Sequence, residues 1–256
     1  MKRSAKDVLL STAIMVAGRT FLSTAIGRRV FDRAYLVYKT VSEGRTIRHL
    51  ETLIAKDDWI IDAGANAGFL TAAFCDWISG SGRVIAIEPA PANVARLRTT
   101  LSRRRRIERV DIIEAAVADI DGQARLRIDP VNPANHQLAD DGLPVATVTL
   151  DRLMADRGWP PLGLIKVDVQ GAEPRVIGGG KETLARLRPA VLLEIADDYL
   201  RPHGCTGGEL LRRVIDMGYT SHTMCRAGIS GPLTLAEADH LIDSNSYIDL
   251  LFLPRE

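Results

Sequence analysis

Short apolar runs alternate with amphipathic stretches along most of the chain. Five runs are continuously apolar, at residues 59–62, 83–88, 110–114, 163–168 and 190–195. Strands of a parallel sheet that is covered on both faces have this pattern. Helical periodicity lies between and after them, at residues 70–78, 91–105, 173–187 and 208–217. The alternation predicts a doubly wound α/β fold, with residues 218–224 and 246–254 as closing strands.

The segment 121–150 interrupts this alternation. It contains two strand-like runs, 124–128 and 145–150, on either side of a loop rich in Pro and Asn. We interpret it as an antiparallel β insertion with a mobile tip. Such insertions on a rigid scaffold commonly carry specificity, so this one is a candidate for substrate recognition.

The first 55 residues are predicted to form a helical extension, and residues 56–256 one domain. The start, “MKRSAKDVLLSTAIMVAG”, joins basic residues to an apolar stretch. This stretch is too short to span a bilayer, which takes about 20 apolar residues. We favour an amphipathic helix packed on the domain. Peripheral membrane contact through this helix and a cleaved secretory signal remain alternatives.

Composition and charge narrow the class of partner. The chain has 256 residues, 46% of them hydrophobic, which is enough for one large core. Its net charge of +1 provides no global field that would favour nucleic acid, so a small-molecule site is the expectation. Cys75, Cys205 and Cys225 are widely spaced and odd in number, which favours a reduced, cytoplasmic protein. The sequence does not indicate an oligomeric state.

The stretch “IIDAGANAG” at the end of the first run has the features of a ligand-binding turn. Asp62 closes the strand, Gly64 and Gly68 would let the backbone approach a ligand, and the next helix offers its N-terminal amides. Its DxGxxxG spacing differs from the GxGxxG of pyrophosphate-binding turns. Glu88, which ends the second strand, can accept the hydroxyls of a ribose. The pattern predicts a nucleoside ligand that lacks a pyrophosphate.

Five segments, in this order and spacing, resemble the FkbM family of S-adenosylmethionine-dependent methyltransferases: “IIDAGANAG”, “AIEPAPANVARL”, “VTLDRLM”, “LIKVDVQGAE” and “AVLLEI”. The resemblance covers about residues 57–200. It implies a class I methyltransferase fold, which is a Rossmann-like, seven-stranded, mostly parallel sheet with an antiparallel last strand. It also implies methyl transfer, usually to a hydroxyl of a sugar or secondary metabolite. One departure is Gln170, where the family often has Glu.

The same resemblance implies S-adenosylmethionine as the cofactor and a set of residues that bind it. Asp62, Gly64, Asn66 and Gly68 would line its methionine part, and Glu88 would hold its ribose. The candidates for contact with its adenine follow the third strand and are Ala116, Val117 and Asp119.

The predicted catalytic residues are Asp168, at the end of the fourth strand, and Glu173, at the start of the next helix. Methyl transfer from a sulfonium depends mainly on alignment of the reacting atoms, but an alcohol acceptor also loses a proton to a nearby base. Both residues have a structural alternative. Asp168 is able to cap the turn through Gly171, and Glu173 suits the dipole of a first helical turn.

His136, Glu194 and His203 are predicted to contact the acceptor. The alternatives are ordinary solvation for the two histidines and ion pairing of Glu194 with Arg188 or Arg201. We expect Lys166, inside a buried strand, to pair with a carboxylate.

Metal dependence is a further alternative. Asp168, Glu173 and Glu194 offer oxygen ligands for a divalent cation, but their spacing is not diagnostic, so we assign no metal.

The sequence therefore predicts an O-methyltransferase that acts on a hydroxyl of a sugar, a glycolipid or oligosaccharide, or a related metabolite. A cofactor-binding protein without turnover remains an alternative because of Gln170. An NAD-dependent oxidoreductase is disfavoured by the absence of GxGxxG and of a Tyr-x-x-x-Lys pair. The sequence does not identify the acceptor.

Overall fold

The computed structural model describes residues 47–129, 132 and 134–255. The strands in these residues are β1 (Trp59–Ala63), β2 (Val84–Ile87), β3 (Val110–Ile113), β4 (Ala116–Val117), β5 (Gly122–Arg127), β6 (Gln137–Ala139), β7 (Leu143–Val148), β8 (Leu162–Val167), β9 (Ala190–Ile195), β10 (Tyr219–His222), β11 (Met224–Cys225), β12 (Gly228–Ile229) and β13 (Ile248–Pro254). The α-helices are α1 (Phe69–Trp77), α2 (Pro91–Arg103), α3 (Leu150–Ala155), α4 (Glu173–Gly178), α5 (Lys181–Leu187), α6 (Asp197–Leu200), α7 (Gly207–Asp216) and α8 (Leu235–Ser244). Short 3-10 helices lie at Arg48–Leu53, Ile107–Arg109 and Arg201–His203.

The central element is a seven-stranded sheet with the order β3-β2-β1-β8-β9-β13-β10. The strands β1, β2, β3, β8 and β9 are parallel, and β13 is antiparallel to both of its neighbours, β9 and β10. This confirms the predicted doubly wound α/β fold with an antiparallel last strand. The five continuously apolar runs all form strands of this sheet, with ends within one residue of the predicted ones.

The core lies on both faces of this sheet because successive side chains of a strand point to opposite faces. Ile61, Ile85 and Ile165 face one layer of helices, α3, α4, α5, α7 and α8. The neighbouring Ile60, Val84 and Leu164 face the other layer, which contains α1, α2 and the first 3-10 helix. Strands with both faces covered have no polar face, which is why they read as continuous apolar runs.

The insertion is more elaborate than predicted. Its strands β5, β6 and β7 join β4, which precedes the insertion, in a second sheet with the order β4-β7-β5-β6, in which β4 and β7 are parallel. The strand β6 lies in the segment expected to be a loop. The second predicted strand was wrong at its end: β7 stops at Val148, and the side chain of Thr149 accepts a hydrogen bond from the Arg152 amide to cap α3. The expected tip includes residues 130, 131 and 133, which lie outside the described residues.

Two helix predictions were also incomplete. The segment 173–187 is not one helix. Gly178 ends α4, and Gly179 and Gly180 separate it from α5, because glycine is a poor helix former. The helix α8 was missed, although Thr234 and Glu237 form a capping box at its start that is visible in the sequence.

The predicted N-terminal helix and its proposed membrane contact lie outside the described residues, which begin at residue 47. In the last part of the predicted extension, Ile47, Leu50 and Ile54 are buried against the α1 side of the sheet. Within residues 47–255, apart from the omitted tip positions, no helix has the length and apolar character needed to cross a membrane.

Candidate active site

The turn after β1 is tied to the end of β2 by three backbone amides. The N–H groups of Gly64 and Ala65 donate to the carbonyl of Ile87, at 2.9 and 3.0 Å. The N–H of Asn66 donates to Oε2 of Glu88 at 2.9 Å. Asn66 has a left-handed backbone with φ of 48°, which Asn tolerates better than most residues. The carboxyl ends of β1 and β2 therefore form one fixed edge.

The two glycines of this turn are required by the packing of the chain itself. Both have positive φ, +79° for Gly64 and +80° for Gly68. A Cβ on Gly64 would lie 1.9 Å from the carbonyl oxygen of Asp168, and one on Gly68 would lie 2.4 Å from Cδ1 of Leu97. This packing is a second reason for glycine at both positions, and the close approach of the backbone to a ligand stays a prediction.

Glu88 is fixed before any ligand binds. It is 5% exposed, and its carboxylate accepts hydrogen bonds from the Asn66 amide, the Ala90 amide at 3.0 Å and Nδ2 of Asn93 at 3.2 Å. Burial raises the pKa of Glu88, while these donors and the charge of Lys166 oppose the rise. A carboxylate has about four acceptor sites, so three donors leave capacity for a ligand hydroxyl.

Asp62 is fully buried at the end of β1 and contacts two side chains. Thr71 donates its hydroxyl to Oδ2 of Asp62 at 2.6 Å. Nζ of Lys166 lies 3.5 Å from Oδ1 of Asp62 and 3.4 Å from Oδ2 of Asp168, and donates to the Gly64 carbonyl at 3.0 Å. The expected carboxylate pairing of Lys166 is confirmed. A cofactor contact of Asp62 itself stays a prediction.

The first turn of α1 offers donors to an anionic group. Gly68 is its N-cap and provides no capping side chain. The first amides of a helix have no partner within the helix, and their dipoles favour negative charge. With the acceptor capacity of Glu88, this edge fits the carboxylate and the ribose of S-adenosylmethionine.

The candidates for adenine contact separate into two environments. Ala116 and Val117 form β4 and are buried beside Thr147 and Val148 of β7. Asp119 is exposed and accepts a hydrogen bond from Nε of Arg175 at 2.8 Å. Their contact with a cofactor stays a prediction.

Asp168 and Glu194 meet at the carboxyl ends of β8 and β9. The side-chain amide of Gln170 donates to Oδ1 of Asp168 at 2.7 Å and to Oε1 of Glu194 at 3.1 Å. All three residues are half-buried. The Asp168 amide also donates to the Ala63 carbonyl at 3.1 Å, so this carboxylate stands next to the turn after β1. The structure brings two of the predicted acceptor-side carboxylates together.

Glu173 folds back onto the turn that precedes it. It is 3% exposed, and its two oxygens accept from the amides of Val169 and Gly171, at 3.0 and 2.9 Å. Burial raises the pKa of Glu173 to about 7, and the charge of Asp168 adds to the rise. These contacts brace the turn, and a catalytic role of Glu173 stays a prediction.

The two predicted histidines lie on different elements. His203 is exposed, with Cδ2 2.8 Å from the position that a Cβ on Gly171 would take, so it covers the turn after β8. His136, in the insertion, accepts a hydrogen bond at Nδ1 from the Asp129 amide at 3.1 Å. Burial lowers the pKa of His136. The hydrogen bond accepted at Nδ1 corresponds to the tautomer with its proton on Nε2. Contact of either one with the acceptor stays a prediction.

Sequence reasoning missed Tyr199. Burial raises the pKa of its phenol, and the charges of Glu194 and Asp129 raise it further. Asp129 belongs to the insertion, so charges from both the insertion and the end of β9 act on this phenol. No local motif marks Tyr199, because its surroundings come from distant segments.

The expected arginine partners of Glu194 bind other groups. Arg188 donates to the carbonyls of Met217, Gly218 and Arg255, and Arg201 pairs with Asp197.

In the part of the chain that is described, no group of three or more His, Cys, Asp or Glu side chains is arranged to hold a metal ion. The described cysteines Cys75, Cys205 and Cys225 are all free.

The sheet order, the turn after β1 and the acidic residues at the ends of β1 and β2 define a Rossmann-like class I methyltransferase fold. A sequence model described as the methyltransferase FkbM domain matches residues 62–220, more than half of the chain. The chain belongs to this family and is an S-adenosylmethionine-dependent methyltransferase. This overturns the NAD-dependent oxidoreductase alternative.

Two curated proteins are similar over most of their length. The chain is 29% identical over 220 residues to the 2-O-methyltransferase NoeI of Sinorhizobium fredii, covering 77% of this chain and 86% of that protein. It is 28% identical over 217 residues to the 31-O-demethyl-FK506 methyltransferase FkbM of Streptomyces tacrolimicus, covering 68% of this chain and 82% of that protein.

A solved structure supports the fold. The crystal structure of a methyltransferase FkbM from Methylobacillus flagellatus KT superposes with a TM-score of 0.51 at 16% identity. The match covers 80% of this chain and 47% of that longer chain.

Proposed function

We propose that this methyltransferase acts on oxygen and that its acceptor is a hydroxyl of a sugar, a glycolipid or oligosaccharide, or a related metabolite. The observation that carries the proposal is the half-buried Asp168 carboxylate beside the turn after β1. Both similar curated proteins are named for an oxygen position, 2-O in one and 31-O in the other, which supports transfer to oxygen.

When bound, S-adenosylmethionine supplies an electrophilic methyl group. The residues proposed to hold its methionine part are Asp62, Gly64, Asn66 and Gly68, with Glu88 at the ribose and Ala116, Val117 and Asp119 near the adenine. The first-turn amides of α1 suit the carboxylate, and the remaining acceptor capacity of Glu88 suits a ribose hydroxyl. These residues therefore fix the donor.

Asp168 is proposed to receive the proton of the acceptor hydroxyl at one of its carboxylate oxygens. A positioned base of this kind contributes about 10²- to 10⁴-fold to a rate. Lys166 is 3.4 Å from Oδ2 of Asp168, and its charge favours the ionised carboxylate. Glu194, His136 and His203 are proposed to orient the acceptor. Gln170 joins Glu194 to Asp168, and His203 covers the turn after β8.

The test is to incubate the protein with S-adenosylmethionine labelled in its methyl group and with three fractions: cell envelope, oligosaccharides and small metabolites. Methyl ethers survive mild alkali, whereas methyl esters are hydrolysed by it. We expect alkali-stable label in a carbohydrate-containing fraction. Label that alkali releases, or label on an amine, would refute the proposed acceptor class. Binding of S-adenosylhomocysteine with no labelled fraction would support a protein without turnover.

A further inference from the structure

The side chain of Gln170 lies between Asp168 and Glu194, two of the predicted site residues. The FkbM family often has Glu at this position. We propose that Gln170 is a positioning residue whose amide nitrogen holds the carboxylates of Asp168 and Glu194 side by side in their charged forms. The consequence for catalysis, that Asp168 is ready to receive a proton, rests on the proposed function.

The backbone conformation directs the side chain of Gln170 towards the carboxylates of Asp168 and Glu194. Gln170 has φ of 54° and Gly171 has φ of 106°, so two consecutive residues have positive φ. A residue with a side chain rarely adopts this region and persists there only where its surroundings impose it. Glu173 imposes it here, because its two oxygens bind the amides on both sides of Gln170.

The chemistry of the amide matches its two partners. An ionised carboxylate only accepts hydrogen bonds, so the nitrogen of Gln170, not its oxygen, must face Asp168 and Glu194. That nitrogen carries two hydrogens, one for each carboxylate, at 2.7 and 3.1 Å. Hydrogen bonds to the charged form of an acid favour that form. One neutral side chain thus offsets the repulsion between two like charges.

A Glu at position 170 has the same length but, when ionised, no hydrogen to donate. Three carboxylates would then share one site, and at least one would retain a proton to a higher pH. Among the described residues, the charged and titratable groups around this site include Asp62, Asp129, Lys166, Glu173, Asp198, Tyr199 and His203. Lys166 is the cation among them that lies within 4 Å of Asp168.

The activity test compares wild type with Gln170→Met and Gln170→Glu. Methionine keeps the length and removes the donor, and glutamate also adds a charge. We expect the acidic limb of the kcat profile to move to higher pH by a small step in Q170M and by about one pH unit or more in Q170E. We expect KM for S-adenosylmethionine to stay unchanged, because Gln170 lies on the acceptor side. An acidic limb at the wild-type pH in both variants would overturn the proposal.

The second test needs no activity, so it separates this proposal from the proposed function. Urea unfolding is measured at pH 5.5 and 8.5 for wild type, Q170M, Q170E and Gln123→Glu, which adds the same charge at an exposed position of β5. A carboxyl that retains its proton in the folded state stabilises the protein at low pH, and that stability is lost as the pH rises. We expect Q170E to lose more stability between the two pH values than Q123E, with Q170M between Q170E and wild type. Equal losses in Q170E and Q123E would overturn the proposal, whether or not wild type transfers methyl groups.

Discussion

The two halves of the sheet edge hold acidic residues in different environments. At the ends of β1 and β2, Asp62 and Glu88 are 0% and 5% exposed, and Glu88 already accepts three hydrogen bonds from the chain. At the ends of β8 and β9, Asp168 and Glu194 are half-buried and share the amide of Gln170. The buried pair has a fixed position before a ligand arrives. The half-buried pair is partly exposed to solvent, which its proposed role at the acceptor requires.

The surroundings of each carboxylate, more than its place in a motif, distinguish the roles proposed for these residues. Glu173 illustrates this, since it follows Asp168 by five residues and belongs to the same motif. It is nevertheless buried and bound to two backbone amides, which makes it a brace for the turn.

The largest effect is expected for Asp168→Asn. Asparagine keeps an oxygen that accepts from Gln170, but it cannot receive a proton, so kcat should fall by about 10²- to 10⁴-fold. Initial rates with the labelled acceptor measure this change. The control is Asp156→Asn, which removes an exposed carboxylate paired with Arg152 and should leave kcat unchanged. A wild-type kcat in the Asp168 variant would show that Asp168 is not the proton acceptor.

The next largest effect is a loss of folding stability. It concerns the contact between the turn after β1 and the end of β8, which joins the two halves of the sheet edge. Gly64→Ala places a Cβ 1.9 Å from the Asp168 carbonyl at positive φ, so the free energy of unfolding should fall by at least about 2 kcal/mol. Gly158→Ala is the matched control, because Gly158 also has positive φ, +72°, but no atom within 4 Å of the added Cβ. Urea unfolding should show a clearly smaller loss for the control. Equal losses would mean that the contact between the halves is unimportant.

A smaller effect is expected for Glu173, whose pKa is raised from 4.5 to about 7. Between these values the folded protein retains a proton that the unfolded chain releases, so stability falls as the pH rises through this range. The loss attributable to Glu173 is at most about 3 kcal/mol, since one pKa unit corresponds to 1.36 kcal/mol.

Urea unfolding of wild type and Glu173→Gln at pH 5 and pH 8 measures this loss. The Gln variant lacks one acceptor at every pH, so it should be less stable at pH 5 and should lose less stability on going to pH 8. Parallel pH dependences in the two proteins would rule out a titrating Glu173.

The sheet was predictable from the sequence because parallel strands covered on both faces must be apolar at every position. The run 190–195 forms β9 with the predicted bounds. The helix α8 was predictable too, from its Thr234 and Glu237 capping box. The break between α4 and α5 also had a local signal, in three consecutive glycines.

The contacts of the site were not predictable, because they join residues that are distant in sequence. The amide of Gln170 reaches Glu194 on another strand, 24 positions away. The charge of Asp129, in the insertion, contributes to the raised pKa of Tyr199, and no local sequence pattern reveals this interaction. The bracing role of Glu173 depends on a left-handed turn at Gln170, a conformation that the side chain of glutamine does not favour.

The most direct test of the division between the two halves is calorimetric titration of S-adenosylhomocysteine into Glu88→Gln and Asp168→Asn. We predict that the Glu88 variant binds at least about tenfold more weakly, because an amide replaces a carboxylate oxygen among buried donors. We predict that the Asp168 variant binds within about twofold of wild type, a difference well below 1 kcal/mol. Wild-type affinity in the Glu88 variant, or a loss of affinity in the Asp168 variant alone, would show that Glu88 does not hold the cofactor on one side of the site while Asp168 serves the acceptor on the other.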